Sequence, residues 1–347
     1  MQAVIYRGID TLSVETVPVP RIGTNELLVK VAACGVCPTD IKKIQHGTVP
    51  PPRIFGHETS GTIVRVGSRL KDFRVGERVA LHHHVPCRKC HFCRHHAFAQ
   101  CQTYRRTGIT AGFEPAGGGY AEYVRVMSFV LPGVVKIPAR NSFVEGAMLE
   151  PVNTVLKAVN RLDLLRGDSV WVVGQGPIGL MFTRILKLRG IRVLASDLFA
   201  SRLRLAKKMG AHAALRPEDI TPAVLEKVTR RRGMDAAIIA VPSGEALSAA
   251  RTAVRGGGKV LLFAHTRRGE ETPLDLSSIC VDEKDLIGSY SSDITLQNEA
   301  ARLVFSRQLD VRKIITDTFP LEQTAHAIYL AANPGEKSLK IMVVQPL

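Results

Sequence analysis

Tryptophan occurs once in this chain, and the three aromatic types together make up only 5% of its 347 residues. Few rings are therefore on offer to stack on bases, and no basic tail accompanies the formal charge of +16. The excess of Lys and Arg is divided evenly between the first 150 residues and the rest. This reads as a basic, soluble surface, and no nucleic-acid partner is expected. No apolar stretch approaches the roughly 18 residues that a membrane helix needs, so no membrane partner is expected either. The opening MQAVIYRGIDTLSVETVPV alternates as a strand does and lacks a basic segment followed by an apolar run. A soluble, cytoplasmic chain is the expectation. Cysteine is scarce, at seven residues, yet four fall between Cys87 and Cys101. In a reducing compartment such clustering points to metal ligands before disulfides.

With 45% hydrophobic residues, the chain can bury a sizeable core, and its length suits two domains. Repeats and low-complexity linkers are absent. The first 140 residues read as short strands with Gly/Pro punctuation: QAVIY, ELLVKVAAC, GTIVRVG, GERVALH and AEYVRV. The texture changes near Val144, where VEGAMLEPVNTVLKAVNRL reads as one helix. Strands SVWVVG, RVLASD, DAAIIAV, KVLLFA and DLIGSY follow, the first two leading into helices PIGLMFTRILKLRG and ASRLRLAKKMGA. Alternation of this kind predicts an α/β fold with a doubly wound parallel sheet. After Gly288 come two helical stretches, TLQNEAARLVFSRQ and LEQTAHAIYLAA, and a strand, SLKIMVV. They do not extend the series.

The run VWVVGQGPIG contains a G-x-G-x-x-G that follows a buried strand and opens a helix, the context in which that motif carries meaning. Gly174 permits a tight turn, Gly176 lets a pyrophosphate approach the backbone, and Gly179 lets helix and strand pack closely. Pro177 and Ile178 open the helix, whose free N–H groups and partial positive charge suit phosphates. Asp197, eighteen residues past Gly179, is placed to accept hydrogen bonds from a ribose 2′-OH and to repel a 2′-phosphate, which favours NAD. Arg202 lies five residues on and leaves room for NADP.

Two groups of metal-type residues stand out. Cys87, Cys90, Cys93 and Cys101 are spaced C-x2-C-x2-C-x7-C. Four thiolates suit tetrahedral zinc at ~2.3 Å per sulfur in a closed, structural site; an iron–sulfur cluster is the rival reading. The second group is scattered: Cys34-Gly-Val-Cys37-Pro-Thr39-Asp40, then Gly56-His57-Glu58, and much later Glu150. The CxxC alone could be a dithiol redox pair. Taken together, Cys, His and Glu can supply three protein ligands and leave one position open, as catalytic zinc requires.

Read in order, CGVCPTD (34–40), GHE (56–58), the four-cysteine lobe (87–101), GGGYAEY (117–123), LEP (149–151), GQGPIG (174–179) and Ser196-Asp197 resemble a zinc-dependent medium-chain alcohol/polyol dehydrogenase of the sorbitol and threonine dehydrogenase branch. The resemblance spans almost the whole chain. It implies a GroES-like catalytic domain over 1–152 that carries a structural zinc lobe, a Rossmann NAD-binding domain over 153–287, and a return of 288–347 to the first domain. It also implies NAD and two zinc ions per chain, a small-molecule alcohol or ketone substrate, and a homodimer or homotetramer. Catalytic zinc would sit on Cys37, His57 and Glu150, with Glu58 as a neighbouring or exchanging ligand and Cys34 not a ligand. A carboxylate in place of a second thiolate makes the metal harder, which suits substrates that chelate through two heteroatoms. Thr39 would take the alcohol proton, and Thr154 and Val155 would neighbour the nicotinamide.

The sequence departs from the family at two points. Lys42 occupies the position where many relatives carry a relay histidine, leaving His46 or water to substitute. The segment Gly288-Ser-Tyr-Ser-Ser292 lacks the arginine that sorbitol dehydrogenases bring to the polyol. His82–His84 and the pair Phe113 and Glu114 are further candidates to line the cleft. Alternative functions are a threonine-type 3-dehydrogenase, a sugar-phosphate or phosphorylated-polyol dehydrogenase using Arg105 and Arg106, and a non-catalytic NAD(H)-binding protein.

Overall fold

The structure is a computed structural model and describes residues 1–82, 85–106, 117–264, 269 and 271–346. His83, His84, Phe113 and Glu114 lie outside the described residues, as do the side chains of Arg105 and Arg106. The chain divides into two compact units. One comprises Met1–Asn153 with Ser291–Leu347, the other Thr154–Tyr290. The first division falls inside the helix Leu149–Arg161.

The first unit is built on a seven-stranded sheet. Its order runs Ile315–Phe319, Lys340–Val344, Leu27–Gly35, Glu58–Val66, Arg78–Leu81 and Val135–Lys136, with Tyr123–Val126 also pairing Leu27–Gly35. Leu27–Gly35 is buried along almost its whole length, because it is central and has neighbours on both sides. The C-terminal strand Lys340–Val344 pairs with it antiparallel, Met342 opposite Gly35 and Val343 opposite Cys34. Residues some 300 positions apart in the chain thus become neighbours. A hairpin, Gln2–Gly8 with Thr11–Thr16, packs Val4, Ile5 and Tyr6 into the same core as Ile41, Ile44 and Tyr120.

The second unit is a six-stranded sheet in the order Ala213–Leu215, Arg192–Ser196, Ser169–Val173, Met234–Ile239, Val254–Leu262, Asp285–Gly288. Every neighbouring pair is parallel. Ser169–Val173 is buried at every position, as expected of a strand covered on both faces. Chain order reverses beside it, so its C-terminal end is the switch point at which such sheets bind ligands.

The structure corrects the reading of residues 144–162 as one helix. There are two, Phe143–Ala147 and Leu149–Arg161. The cause is Pro151, which has no N–H to donate and whose ring excludes a continuous helix through Ala147. A proline is tolerated in a first turn, so a second helix starts at Leu149 and puts Glu150 in its first turn. The earlier helix is closed at its N-terminus by a capping box, Ser142 with Glu145, which satisfies two otherwise free N–H groups. The short strands Val135–Lys136 and Ile315–Phe319 were not anticipated.

Candidate functional site

Cys37 is the N-cap residue of the helix Pro38–His46, yet its side chain makes no capping hydrogen bond. Its sulfur is left for other use. Thr39 is therefore inside the first turn rather than at the cap, and it is half-buried. Asp40, on the same turn, is 1% exposed. Its Oδ1 lies 3.1 Å from His57 Nδ1, and its Oδ2 accepts the Gly56 N–H at 3.2 Å. A carboxylate on one ring nitrogen fixes the tautomer and leaves Nε2 as the lone-pair donor, the usual support of a metal-binding histidine. Asp40 was quoted in the CGVCPTD motif but given no role by sequence reasoning. The signal was a carboxylate three residues after a candidate ligand.

Cys37, His57 and Glu58 each offer a ligand atom, and these atoms lie within 4.8 Å of one another. Glu58 opens the strand Glu58–Val66 opposite Gly35. Glu150 is not part of that tight group, but it is buried and its charge is felt by the same residues. Burial pushes its carboxyl up to about 7; His57 opposes the rise and Glu58 adds to it. Burial would lower the His57 pKa, but Asp40 and Cys37 outweigh it and raise it well above the usual range. A field that favours a proton on buried imidazole also favours a metal cation beside it. The donor set, one sulfur, one imidazole nitrogen and carboxylate oxygens, fits zinc.

Lys340 was missed entirely. Its Nζ lies 2.7 Å from Glu58 Oε1 and 2.5 Å from Oε2, and it donates to the Val36 carbonyl at 2.8 Å. Cys34 points elsewhere. Its sulfur is 3.5 Å from Thr59 Oγ1, and burial pushes its thiol up to about 12.

The second cysteine group is also assembled. Cys87, Cys90, Cys93 and Cys101 bring their sulfurs within 4.8 Å of one another, and among the described residues no cysteine is in a disulfide. Cys93 and Cys101 are buried, against Tyr104 and Phe98. The N–H groups of Lys89 and Cys90 point at Cys87 and pull its thiol down to about 6. Its own N–H donates to Cys101 Sγ at 3.3 Å. Backbone donors aimed at sulfur are what a thiolate site needs. With four sulfurs and no open position, the group fits a closed zinc site.

In the other unit, Gly174 has φ +91°, a left-handed conformation that suits glycine, and Gly176 caps the helix Pro177–Leu188. A Cβ on Gly179 would meet the Gly174 carbonyl oxygen at 1.8 Å, so this helix approaches its strand only with glycine there. Ile178 is half-buried and lies in the same first turn as Pro177. Asp197 is 8% exposed. It accepts the Gln175 N–H at 2.7 Å and the Phe199 N–H at 2.9 Å, which ties the acid to the glycine loop. Arg202 Nη1 is 3.9 Å from Asp197 and its guanidinium lies over the Phe199 ring. Thr154 is half-buried and Val155 buried in the helix Leu149–Arg161.

Residues 23–139 match the alcohol dehydrogenase GroES-like domain family, and residues 177–306 match the zinc-binding dehydrogenase family. The sorbitol dehydrogenase of Bacillus subtilis (strain 168) is 31% identical over 350 residues, 99% of this chain and 97% of the relative. The chain belongs to the zinc-dependent medium-chain alcohol and polyol dehydrogenases. A zinc-binding dehydrogenase of Sinorhizobium meliloti 1021, solved with NADP bound, superposes with a TM-score of 0.88 at 28% identity, covering 99% of this chain and 98% of that one. An alcohol dehydrogenase from Thermus sp. ATN1 has a TM-score of 0.87 at 27% identity, with both chains fully covered. The dehydrogenase combines a GroES-like unit with a Rossmann-type sheet and acts on a small-molecule alcohol with zinc and a nicotinamide dinucleotide. Among its described residues no helix is long and apolar enough to cross a membrane.

Proposed function

We propose that this dehydrogenase interconverts a secondary alcohol of the polyol or sugar-like class and its ketone, with NAD. The carrying observation is the group Cys37, His57 and Glu58 with buried Glu150 beside it, a donor set with a single thiolate. Cys37, His57 and Glu150 would hold the catalytic zinc, and Cys87, Cys90, Cys93 and Cys101 the structural one. When bound, zinc supplies Lewis-acid polarisation of the alcohol oxygen and NAD supplies the hydride acceptor.

The chain's own residues do the rest. Asp40 holds His57 by Nδ1 and leaves the lone pair for a metal on Nε2. Thr39 Oγ1, two residues past Cys37, takes the substrate proton in a hydrogen bond and passes it on. Gly174, Gly176, Pro177, Ile178 and Gly179 receive the pyrophosphate, Thr154 neighbours the nicotinamide, and Asp197 accepts from the ribose. Because Asp197 is buried and carries negative charge, a 2′-phosphate is disfavoured there, which supports NAD over NADP. Arg202, already drawn to Asp197, is less available to pair with a 2′-phosphate.

A cytoplasmic homodimer or homotetramer completes the reading. Supporting it, the strand Asp285–Gly288 is the last of its sheet, and Leu276 and Val281 nearby in the chain are 73% and 76% exposed. A terminal strand and exposed apolar side chains in the segment that leads into it suit a second copy of the chain.

The test is NAD reduction across polyols, sugars, their phosphates and threonine. Highest kcat/KM on a polyol is the expected result. Turnover confined to threonine or to phosphorylated substrates would replace the substrate class, and cofactor binding without turnover on any alcohol would remove the enzymatic reading.

A further inference from the structure

We propose that Tyr104 is a positioning residue through which the four-cysteine lobe holds the helix carrying Glu150. The inference rests on the zinc reading of both ligand groups.

The chain passes between its two units twice, between Asn153 and Thr154 and between Tyr290 and Ser291. The first passage lies in the helix Leu149–Arg161, whose first turn holds Glu150. The second is bound along that helix. Arg161 donates to the Gly288 carbonyl, and Lys157 donates to the Tyr290 carbonyl at 2.8 Å. Asn153, itself buried, accepts the Asp293 N–H at 2.9 Å and donates to Gln297 Oε1 at 2.9 Å. Asn153, Lys157 and Arg161 follow one another at helical spacing, so a single face of the helix holds the segment 288–297.

Ser291, within that segment, is tied to the lobe. Its Oγ lies 3.3 Å from the Tyr104 hydroxyl, across 187 positions of sequence. Tyr104 is 7% exposed and packs with Cys93 and Cys101, and its N–H is aimed at the Cys101 sulfur. Ser292 is held alongside, its Oγ 3.3 Å from Nε2 of buried His82. Ser291 also has φ +63°, a left-handed conformation that a residue other than glycine keeps where its surroundings enforce it. A satisfied network of buried polar groups rigidifies what it connects.

The element it connects to is the one whose placement the site depends on. Cys37, His57 and Glu58 already bring their ligand atoms within 4.8 Å of one another, and Glu150 stands outside that tight group. The approach of Glu150 to a metal is therefore set by its helix, one turn before Asn153. Contacts run from Cys93 and Cys101 to Tyr104, from Tyr104 to Ser291, and from the Ser291 segment to Asn153. Without the Tyr104 hydroxyl the segment loosens, Asn153 loses fixed partners, and Glu150 holds the metal less firmly.

The test uses the zinc-loaded full-length protein and reads the rate of zinc transfer from the Cys37 site to excess chromogenic chelator. The wild type must carry two zinc ions and Cys37→Ser one, and the phase missing in Cys37→Ser identifies that site. Failure of that count removes the zinc reading, and this proposal with it, whatever Tyr104 does. Given the count, Tyr104→Phe, which keeps the ring against Cys93 and Cys101, should retain both ions and melt near wild type. It should nonetheless speed transfer by at least about threefold, as remote positions in a coupled network can. Ser291→Ala should do the same, and the double variant should exceed the faster single by less than about twofold, because both remove one contact. In a Glu150→Gln background, Tyr104→Phe should change the rate by less than about twofold, since its effect runs through Glu150. Unchanged transfer in Tyr104→Phe, with or without a lower melting temperature, overturns the proposal. So do effects of Tyr104→Phe and Ser291→Ala that multiply, or an equal acceleration in the Glu150→Gln background. If Ser291→Ala does not fold, the comparison of Tyr104→Phe with and without Glu150 decides.

Discussion

Asp40 and His57, seventeen positions apart, face each other across 3.1 Å in a space closed to solvent, at 1% and 5% exposure. The carboxylate decides which nitrogen of the imidazole carries the proton. Asp40→Asn keeps the shape and removes the charge. Zinc affinity at the Cys37 site should fall by about 10–100-fold, measured by competition with a chelator. Unchanged affinity would mean that the ring is held by packing alone.

Two zinc ions per chain are expected by metal analysis, and they should behave differently. Cys37→Ser should remove one ion and abolish turnover in a protein that still folds. Cys93→Ser should lower the melting temperature, because the metal at a closed site contributes directly to folding. Normal melting and zinc content in Cys93→Ser would count against the structural site.

Asp197 should favour NAD. Asp197→Ser deletes the ribose acceptor and the repulsion of a 2′-phosphate and releases Arg202. The ratio of kcat/KM for NAD over NADP should drop by at least ~10-fold, equal to ~1.4 kcal/mol. A ratio that does not move would show that the acid serves only the Gln175 and Phe199 N–H groups it already accepts.

Thr39 does not cap its helix, since Cys37 occupies the cap. Thr39→Val should leave zinc, NAD binding and melting temperature near wild type while kcat falls by ~10²–10⁴, the usual worth of a positioned acid–base group. Thr39→Ser should keep most activity. A fully active Thr39→Val sinks the relay.

Glu145 supplies a pH signature in the same unit. Burial would raise its pKa, but Arg307, the Ser142 N–H and Asn141 outweigh it and hold the carboxyl near about 2 against a usual 4.5. A depressed acid stabilises the fold above its unfolded value, and that contribution fades as pH falls from about 4.5 towards 2. Glu145→Gln should therefore be less stable than wild type at pH 7, with the gap closing over that window, as read by denaturant unfolding. A gap independent of pH would assign the effect to packing.

Local chemistry was legible from the sequence alone. The glycine loop, Asp197 and the four cysteines lie within short segments whose turn and spacing requirements are met by neighbours in the chain. The strand–helix alternation from Ser169 to Gly288 is legible for the same reason, since a strand buried on both faces must be apolar throughout. Pro151 was a visible signal for the helix break at Met148, outweighed by the apolar periodicity around it. Ile315–Phe319 went unread because an edge strand buries little and its alternation is weak. What tertiary structure alone decided is the company each site residue keeps. Sheet register brings Lys340 to Glu58, the first turn after Cys37 brings Asp40 to His57, and burial sends Cys34 into the core while Cys37 stays half-open. No spacing along the chain encodes a pair 282 positions apart. That contact follows from the C-terminal strand adding to Leu27–Gly35, a pairing settled by hydrogen bonds and buried area summed over the whole unit.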